Sequence, residues 1–260
     1  MTQLDDTSPP PQGLLVLGGT SAIALAYARK ALTESDRPLR ILLVGRDAQR
    51  LQQNADDLSA RGAADCAVLI ADLTDTTRIT GLVEEAEQRL GRIDEALIAY
   101  GSLPDQTTVE ADINQLSNVF SVNFTSAAVW VQGLTNRMSD QNGGRIVVLG
   151  SVAGDRGRMS NYAYGAAKAG LETFIAGAQH RLARDSSLSI TLVKPGFVDT
   201  PMTAHIQPKG ILWASPERVA SIMYRAARKR KSTVYAPWFW FWIMSIIRFL
   251  PRAVFHRTRL

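Results

Sequence analysis

Short apolar runs alternate along the chain with longer segments in which apolar residues recur at helical spacing. The runs predict seven β-strands at residues 13–17, 40–44, 67–70, 95–99, 144–149, 188–193 and 233–235. Helices are predicted over residues 21–32, 47–61 (with Asp47 as the N-cap), 76–90, 113–138, 162–184 and 216–229. The strands are apolar throughout, so both faces of the sheet should be covered. Because each intervening helix returns the chain in the same direction, we predict a parallel sheet in one doubly wound α/β domain.

The composition agrees with one folded domain at residues 13–236. Of 260 residues, 46% are hydrophobic and 20% are charged, which excludes a disordered, collagenous or disulfide-stapled chain. The single cysteine, Cys66, can form neither an internal disulfide nor a metal site by itself, and a cytoplasmic location is the simplest expectation. Residues 1–12 are polar and proline-rich without signal-peptide features, so we predict a short disordered lead-in.

Charge is distributed unevenly and sets apart a tail at residues 237–260. Residues 1–217 contain 19 Lys and Arg against 24 Asp and Glu, whereas residues 218–260 contain 10 basic residues and no acid. Residues 236–247 are uncharged and hold three of the five tryptophans, but a membrane-spanning helix needs about 20 residues. Aromatic residues beside cations predict peripheral contact with an anionic membrane rather than with nucleic acid. The alternatives are a hydrophobic helix that packs on its own domain and a dimer contact.

The first predicted strand leads directly into the turn Gly18-Gly19-Thr20-Ser21-Ala22-Ile23-Ala24, which opens a helix. A helix N-terminus after a buried strand favours an anion such as a dinucleotide pyrophosphate. Ala22 and Ala24 stand where such a turn usually has glycine, so an ordinary glycine-containing turn is the alternative.

Two polar residues follow the next two strands. An acid after the second strand would bind the ribose 2′-hydroxyl of NAD, but this chain has Arg46, which favours NADP(H) over NAD(H). A solvated arginine before a helix is the alternative. Asp72 follows the third strand, where it either meets the adenine edge or begins the turn before the next helix.

Candidate chemistry lies in the second half of the chain. Tyr164 and Lys168 are four residues apart on one helix, and Ser151 ends the preceding strand at the carboxyl edge of the sheet. A free tyrosine has a pKa of about 10, and a cation one turn away should bring it towards the operating range. Tyr and Lys at this spacing alone are more often a solvated helix stripe. Together with Ser151 they indicate catalysis.

These features resemble the short-chain dehydrogenases/reductases over residues 13–236. The resemblance rests on the glycine turn, on Asn123, Ser151, Tyr164 and Lys168 at spacings of 28, 13 and 4 residues, and on the segment 195–200. It implies a Rossmann fold with a seven-stranded sheet and an NAD(P)-dependent oxidoreductase. Tyr164 would be the acid/base and Ser151 would orient the carbonyl. Lys168 would hold the nicotinamide ribose, and Asn123 a water in the proton relay.

The resemblance also implies a set of cofactor-binding residues, among which Val198 and Thr200 would lie beside the nicotinamide carboxamide. The set is Gly18, Thr20, Ser21, Ala22, Ile23, Arg46, Asp72, Leu73, Ala99, Tyr100, Gly101, Tyr164, Lys168, Pro195, Gly196, Val198 and Thr200. The chain departs from the family at the two alanines of the first turn. It also has Ala99-Tyr100-Gly101 where the family usually has Asn-Asn-Ala-Gly.

Segments at 153–156 and 202–205, together with the tail, resemble one subgroup, the decaprenylphosphoryl-2-keto-β-D-erythro-pentose reductases. That resemblance implies a lipid-linked substrate at the cytoplasmic membrane face, a partner oxidase of an epimerase pair, and a homodimer or tetramer. Arg156 and Arg158 are placed to offer cations to the lipid phosphate, or else form a solvated loop pair. The remaining hypotheses are a soluble reductase of another hydrophobic ketone or alcohol and, less favoured, a non-catalytic nucleotide-binding protein.

Overall fold

A computed structural model describes residues 10–141, 143–184 and 187–258 and contains the predicted sheet of seven strands. Every neighbouring pair is parallel, in the order β3-β2-β1-β4-β5-β6-β7. The strands are β1 (Gln12–Leu17), β2 (Leu39–Gly45), β3 (Asp65–Ile70), β4 (Glu95–Ile98), β5 (Gly144–Leu149), β6 (Leu188–Pro195) and β7 (Thr233–Ala236). The predicted lead-in over 1–12 lies mostly outside the described residues.

Helices cover both faces of this sheet, which confirms the doubly wound architecture. They are α1 (Ala22–Glu34), α2 (Ala48–Ala60), α3 (Ile79–Leu90), α4 (Gln106–Ala111), α5 (Ile113–Phe120), α6 (Ser126–Asp140), α7 (Tyr162–Leu182), α8 (Pro216–Arg228), α9 (Phe239–Phe249) and α10 (Arg252–Phe255). One apolar core lies between the sheet and α1, α2 and α8, and the other between the sheet and α3, α6 and α7. Burial of both sheet faces explains why the strands are apolar at every position.

The predicted helix over 113–138 is not continuous. The helix α5 is followed by a wider π-helical turn at Ser121–Thr125, and α6 then runs on to Asp140. Within that turn, Nδ2 of Asn123 donates to the carbonyl of Val119 at 3.0 Å. Short π-helical turns are frequent at functional sites, and this one contains the predicted site residue Asn123.

The order of the strands determines where a ligand can bind. The chain runs outward from β1 to β3 and then returns to place β4 on the other side of β1. The connection after β1 and the connection after β4 therefore run in opposite directions, and they leave a crevice between them at the carboxyl ends of the strands. The tail lies near this edge, because only two residues separate β7 from α9. In the part of the chain that the structure describes, no helix is long and apolar enough to cross a membrane.

Candidate active site

A cavity of about 410 Å³ lies over the carboxyl ends of the strands. It extends from the N-terminus of α1 to α7, and every residue of the predicted cofactor-binding set lines it. Ser151, the remaining hydroxyl of the predicted catalytic group, also lines it. Residues that are distant in sequence therefore meet in one crevice. Its elongated form fits a dinucleotide whose two halves lie on either side of β1.

The glycine turn has the geometry that an anion site requires. Gly18 has φ +91°, and a Cβ at this position would lie 2.9 Å from the backbone nitrogen of Tyr100, so only glycine fits. The side chain of Ser21 caps α1 by accepting from the amide of Ala24 at 3.4 Å. Helix geometry leaves the amides of Ala22 and Ile23 without intrahelical acceptors at the positive end of the helix dipole. The chain therefore forms the turn despite its two alanines.

Charged side chains mark the end of the cavity beside β2. Arg46 is exposed directly after β2, and Arg50 donates to the carbonyl of Thr20 at 3.4 Å. Asp72 Oδ1 accepts from the amide of Thr74 at 2.9 Å and from its hydroxyl at 2.7 Å. These two hydrogen bonds, with Arg46 nearby, lower the pKa of Asp72. Asp72 thus begins the turn after β3 while its side chain remains at the cavity wall.

Ser151 and Tyr164 form a hydroxyl pair in the same cavity. Ser151 follows β5, and its Oγ accepts from the amide of Ala153 at 3.1 Å and shares a hydrogen bond with Tyr164. Burial raises the pKa of Tyr164 to about 12, against the opposing effects of the Ser151 hydrogen bond and the Arg158 charge. The phenol therefore carries its proton at neutral pH. Two hydroxyls that face one cavity can donate to the same carbonyl oxygen.

Lys168 lies in the same cavity, one helical turn from Tyr164. Its side chain is buried, and Nζ donates to the carbonyl of Leu149 at 3.0 Å. Burial lowers the pKa of Lys168 to about 8, and Nζ lies 5.8 Å from the ring centroid of Tyr164. Desolvation dominates the pKa of the phenol, and the predicted lowering of that pKa by Lys168 stays a prediction.

Asn123 lies behind Gly101, and its buried amide holds the loop that follows β4. Its Oδ1 accepts from the amide of Ser102 at 3.1 Å, and its Nδ2 donates to the carbonyl of Ser102 at 3.0 Å. A Cβ on Gly101 would lie 2.8 Å from Oδ1, so glycine is required for this close approach. Asn123 therefore positions the cavity wall from behind. Its predicted hold on a water of the proton relay stays a prediction.

The tail packs on the domain, as one of the sequence-based alternatives had it, and contributes a wall residue that the sequence analysis did not name. Trp240 of α9 is 3% exposed and lines the cavity. Its indole lies on Gly196, where an added Cβ would fall 1.9 Å from the ring, and meets Phe197 edge-on at 5.4 Å. The indole nitrogen is buried and has no hydrogen-bond partner within the described part of the chain. Trp240, Met244 and Ile247 recur at spacings of four and three, which was the available signal for a packed helix face.

The two arginines after Ser151 have separate roles. Arg156 donates to the carbonyls of Leu250 at 2.8 Å, of Arg248 at 3.2 Å and of Ile247, and its guanidinium lies 3.8 Å from the ring centroid of Phe255. Nη1 of Arg156 is therefore bound to the end of α9 rather than to solvent, and its predicted contact with a lipid phosphate stays a prediction. Arg158, two residues later, lines the cavity.

The fold and the cavity define a dinucleotide-binding protein of the doubly wound class with a serine–tyrosine pair at its centre. The sequence matches the family described as short chain dehydrogenase over residues 12–210. An uncharacterized oxidoreductase of Mycobacterium tuberculosis (strain H37Rv) is 32% identical over 98% of this chain and 99% of its own length. Another uncharacterized oxidoreductase, from Streptomyces coelicolor, is 33% identical over 97% of this chain and 98% of its own length. The chain belongs to the short-chain dehydrogenase family, and the expectation of an NAD(P)-dependent oxidoreductase is confirmed.

Solved structures with a similar fold share little sequence with this chain. Actinorhodin polyketide ketoreductase, solved with NADPH, has a TM-score of 0.77 at 23% identity and covers 88% of this chain and 97% of its own. A short chain dehydrogenase/reductase from Burkholderia phymatum, solved with NAD, has a TM-score of 0.82 at 19% identity and 96% coverage of both chains. At these identities the likeness shows the fold.

Proposed function

We propose that this protein is an NADP(H)-dependent reductase of a ketone carried on a hydrophobic, lipid-linked substrate. The observation that carries the reductase assignment is the hydrogen-bonded Ser151–Tyr164 pair in the same cavity as the glycine turn. The resemblance to the decaprenylphosphoryl-2-keto-pentose reductases supports a polyprenyl-phosphate keto-pentose as substrate. The reaction would be the 2-keto reduction in a ribose-to-arabinose epimerisation, with a partner oxidase supplying the ketone.

The residues of the cavity divide the work of carbonyl reduction. A bound nicotinamide would supply the hydride. Ser151 and Tyr164 would donate to the carbonyl oxygen and stabilise the charge that develops there, and Tyr164 would then give up its proton. Lys168, whose pKa is lowered to about 8, would hold the ribose and electrostatically favour the phenolate after that transfer. Trp240 and Phe197 would exclude water from the reacting face.

Arg46 supports the preference for NADP(H), because it is exposed at the end of β2 with no carboxylate in the position that would repel a 2′-phosphate. Titration with NADPH and NADH, followed by nicotinamide fluorescence, should show at least about tenfold tighter binding of NADPH. Arg46→Ala should remove most of that preference. Arg78→Ala, at an exposed arginine outside the cavity, is the matched control. Preference of the wild type for NADH would overturn the cofactor assignment.

The tail supports a peripheral membrane location on the cytoplasmic face. One side of α9 is buried through Trp240 and Met244, while large apolar residues on the outside are exposed. These outer residues are Trp238, Phe241, Trp242, Ile246 and Phe249, with exposures between 47% and 86%. Arg248 and Arg252 follow in a segment without acids. An exposed apolar face with cations beside it is complementary to anionic phospholipid.

Vesicle flotation tests the lipid contact. The wild type should float with vesicles that contain phosphatidylglycerol and should float less with pure phosphatidylcholine. The double variant Trp242→Ser/Phe249→Ser should stay at the bottom, whereas Ile113→Ser, at a residue 79% exposed outside the tail, should float normally. If the wild type binds neither vesicle type but forms dimers that the double variant abolishes, the exposed face of α9 is an interface between copies of the chain.

The alternative function is a soluble reductase of another hydrophobic ketone, assembled as a homodimer or tetramer through its long helices. Turnover of free alkyl ketones without vesicle binding would favour it. A non-catalytic nucleotide-binding role is disfavoured by the intact geometry of Ser151, Tyr164 and Lys168. NADPH binding without reduction of any ketone would revive it.

A further inference from the structure

The short loop between Ser151 and α7 places a second polar group in the cavity beside the hydroxyl pair. Arg158 and Asn161 are the two ends of a turn, closed by the amide of Asn161 donating to the carbonyl of Arg158 at 3.1 Å. Both side chains line the cavity together with Tyr164. The charge of Arg158 acts on the Tyr164 phenol, so the guanidinium lies on the reacting side of the cavity.

Each side chain has a buried polar atom that finds no partner among the described residues. Among the described residues, the guanidinium of Arg158 has no ion pair and no side-chain hydrogen bond, and its Nε is buried. Oδ1 of Asn161 is also buried without a partner, and its side chain does not cap α7. Buried polar atoms normally find partners, and a buried cation without one is especially costly. Two such groups in one turn indicate a ligand that supplies the missing partners.

The nearby acid is already engaged by other groups. Asp155 is the carboxylate whose charge reaches Arg158, but it accepts from the Tyr235 hydroxyl at 3.1 Å and from Lys194 at 2.6 Å, and Lys194 also pairs with Glu172 at 2.6 Å. Burial correspondingly lowers the pKa of Arg158 below its ordinary value. The cavity therefore holds a partly desolvated guanidinium that forms no ion pair with any described residue.

The position of this charge shows which ligand it serves. A dinucleotide would place its pyrophosphate at the turn 18–23 and a 2′-phosphate near Arg46, both at the other end of the cavity. Arg158 lies beside Tyr164 and so faces the substrate. We propose that Arg158 binds an anionic group, a carboxylate or a phosphate, carried by the substrate close to its reacting carbonyl, so that the enzyme selects acidic ketones. This inference rests on the proposed function for the carbonyl at Ser151 and Tyr164.

Matched ketone pairs test the selection. The carboxylate arm compares 4-oxooctanoate with its methyl ester, and the phosphate arm compares 2-oxooctyl phosphate with 1-methoxyoctan-2-one. In at least one arm, kcat/KM of the wild type should favour the anion by about tenfold or more, and Arg158→Met should lower that ratio by a similar factor. Arg158→Lys should restore part of it, while Arg218→Met, the same change on an exposed helix position outside the cavity, should not alter it. The arm that responds identifies the anion.

Binding without turnover separates this inference from the proposed function. Calorimetric titration with octanoate, octyl phosphate and uncharged octanol, with NADP⁺ present to fill the cofactor end, should show anion binding that weakens about tenfold or more in Arg158→Met. Arg158-dependent anion binding without ketone reduction would retain the subsite and overturn the reductase. Ketone reduction with an anion-to-neutral ratio that is the same in wild type and Arg158→Met would overturn the subsite and retain the reductase.

Discussion

At the scale of single residues, the chemistry depends on a phenol that keeps its proton until a substrate needs it. Burial raises the pKa of Tyr164 to about 12, and Ser151 is the side chain bonded to it. Removal of the hydroxyl deletes both a donor to the carbonyl and the proton source. Tyr164→Phe should therefore lower kcat for ketone reduction by about 10²- to 10⁴-fold. Steady-state NADPH oxidation measures the loss.

Tyr162→Phe is the matched control for that variant, because Tyr162 is 47% exposed one half-turn away on the same helix. It should keep near-wild-type turnover, and both variants should bind NADPH. Retained activity in Tyr164→Phe would move the acid/base role to another group. Equal losses in both variants would show that the helix, rather than the hydroxyl, was damaged.

Lys168 makes a prediction about stability and pH. Its pKa falls from an ordinary 10.5 to about 8 because the ammonium group is buried. Between those values the unfolded chain binds more protons than the folded one, so this group makes stability rise with pH across that window. Below about pH 8 the buried charge lowers the free energy of unfolding by its full amount. Lys168→Met should therefore be more stable than the wild type near pH 7, by about 1–3 kcal/mol.

The difference between Lys168→Met and the wild type should shrink as the pH approaches 10, because the wild type then loses its buried charge. Urea unfolding at both pH values gives the two free energies of unfolding. A difference that stays constant, or that grows with pH, would contradict the lowered pKa. The variant should also lose activity, which would show that the lysine is kept at a cost to stability.

At the scale of secondary-structure elements, Arg156 joins the loop after β5 to the end of α9. Its guanidinium bonds the carbonyls of Ile247, Arg248 and Leu250, which an α-helix leaves without partners. Arg156→Gln should loosen this end of the tail and increase amide hydrogen exchange in α9 by about tenfold, with the sheet unaffected. Arg252→Gln, an exposed cation of the same segment, should leave exchange unchanged. Equal exchange in both variants would contradict the capping role.

The same elements show what the sequence could and could not predict. Strands were predictable because burial of both faces makes every position apolar, and the cavity residues were predictable because they end those strands. The interruption of the helix at Ser121–Thr125 was not, since it depends on a side-chain bond from Asn123 back to Val119. Arg156 and Arg158 look alike in sequence. Only the tertiary position of α9 separates a capping residue from a cavity residue.

For the whole molecule, the tail is part of the reductase domain as well as its outer surface. Residues 239–243 are apolar without exception, so the helical spacing of Trp240, Met244 and Ile247 marks only one of several faces that could have packed inward. The structure buries Trp240 and Met244 against Val152 and exposes Trp242 on the other side. One helix therefore lines the cavity with one face and exposes the other, which is the face proposed to contact lipid.

Deletion of the tail after Ala236 should consequently do more than release the protein from membranes. Loss of Trp240 and Met244 from the core should lower the free energy of unfolding by about 3–6 kcal/mol, and loss of the cavity wall should weaken NADPH binding. Trp242→Ser/Phe249→Ser removes only exposed side chains and should keep the wild-type unfolding midpoint. Urea unfolding and NADPH titration of both proteins check this. A truncated chain with wild-type stability and NADPH binding would contradict a structural role for the tail, whereas damage confined to the truncation would show that the buried face of α9 forms part of the active-site wall.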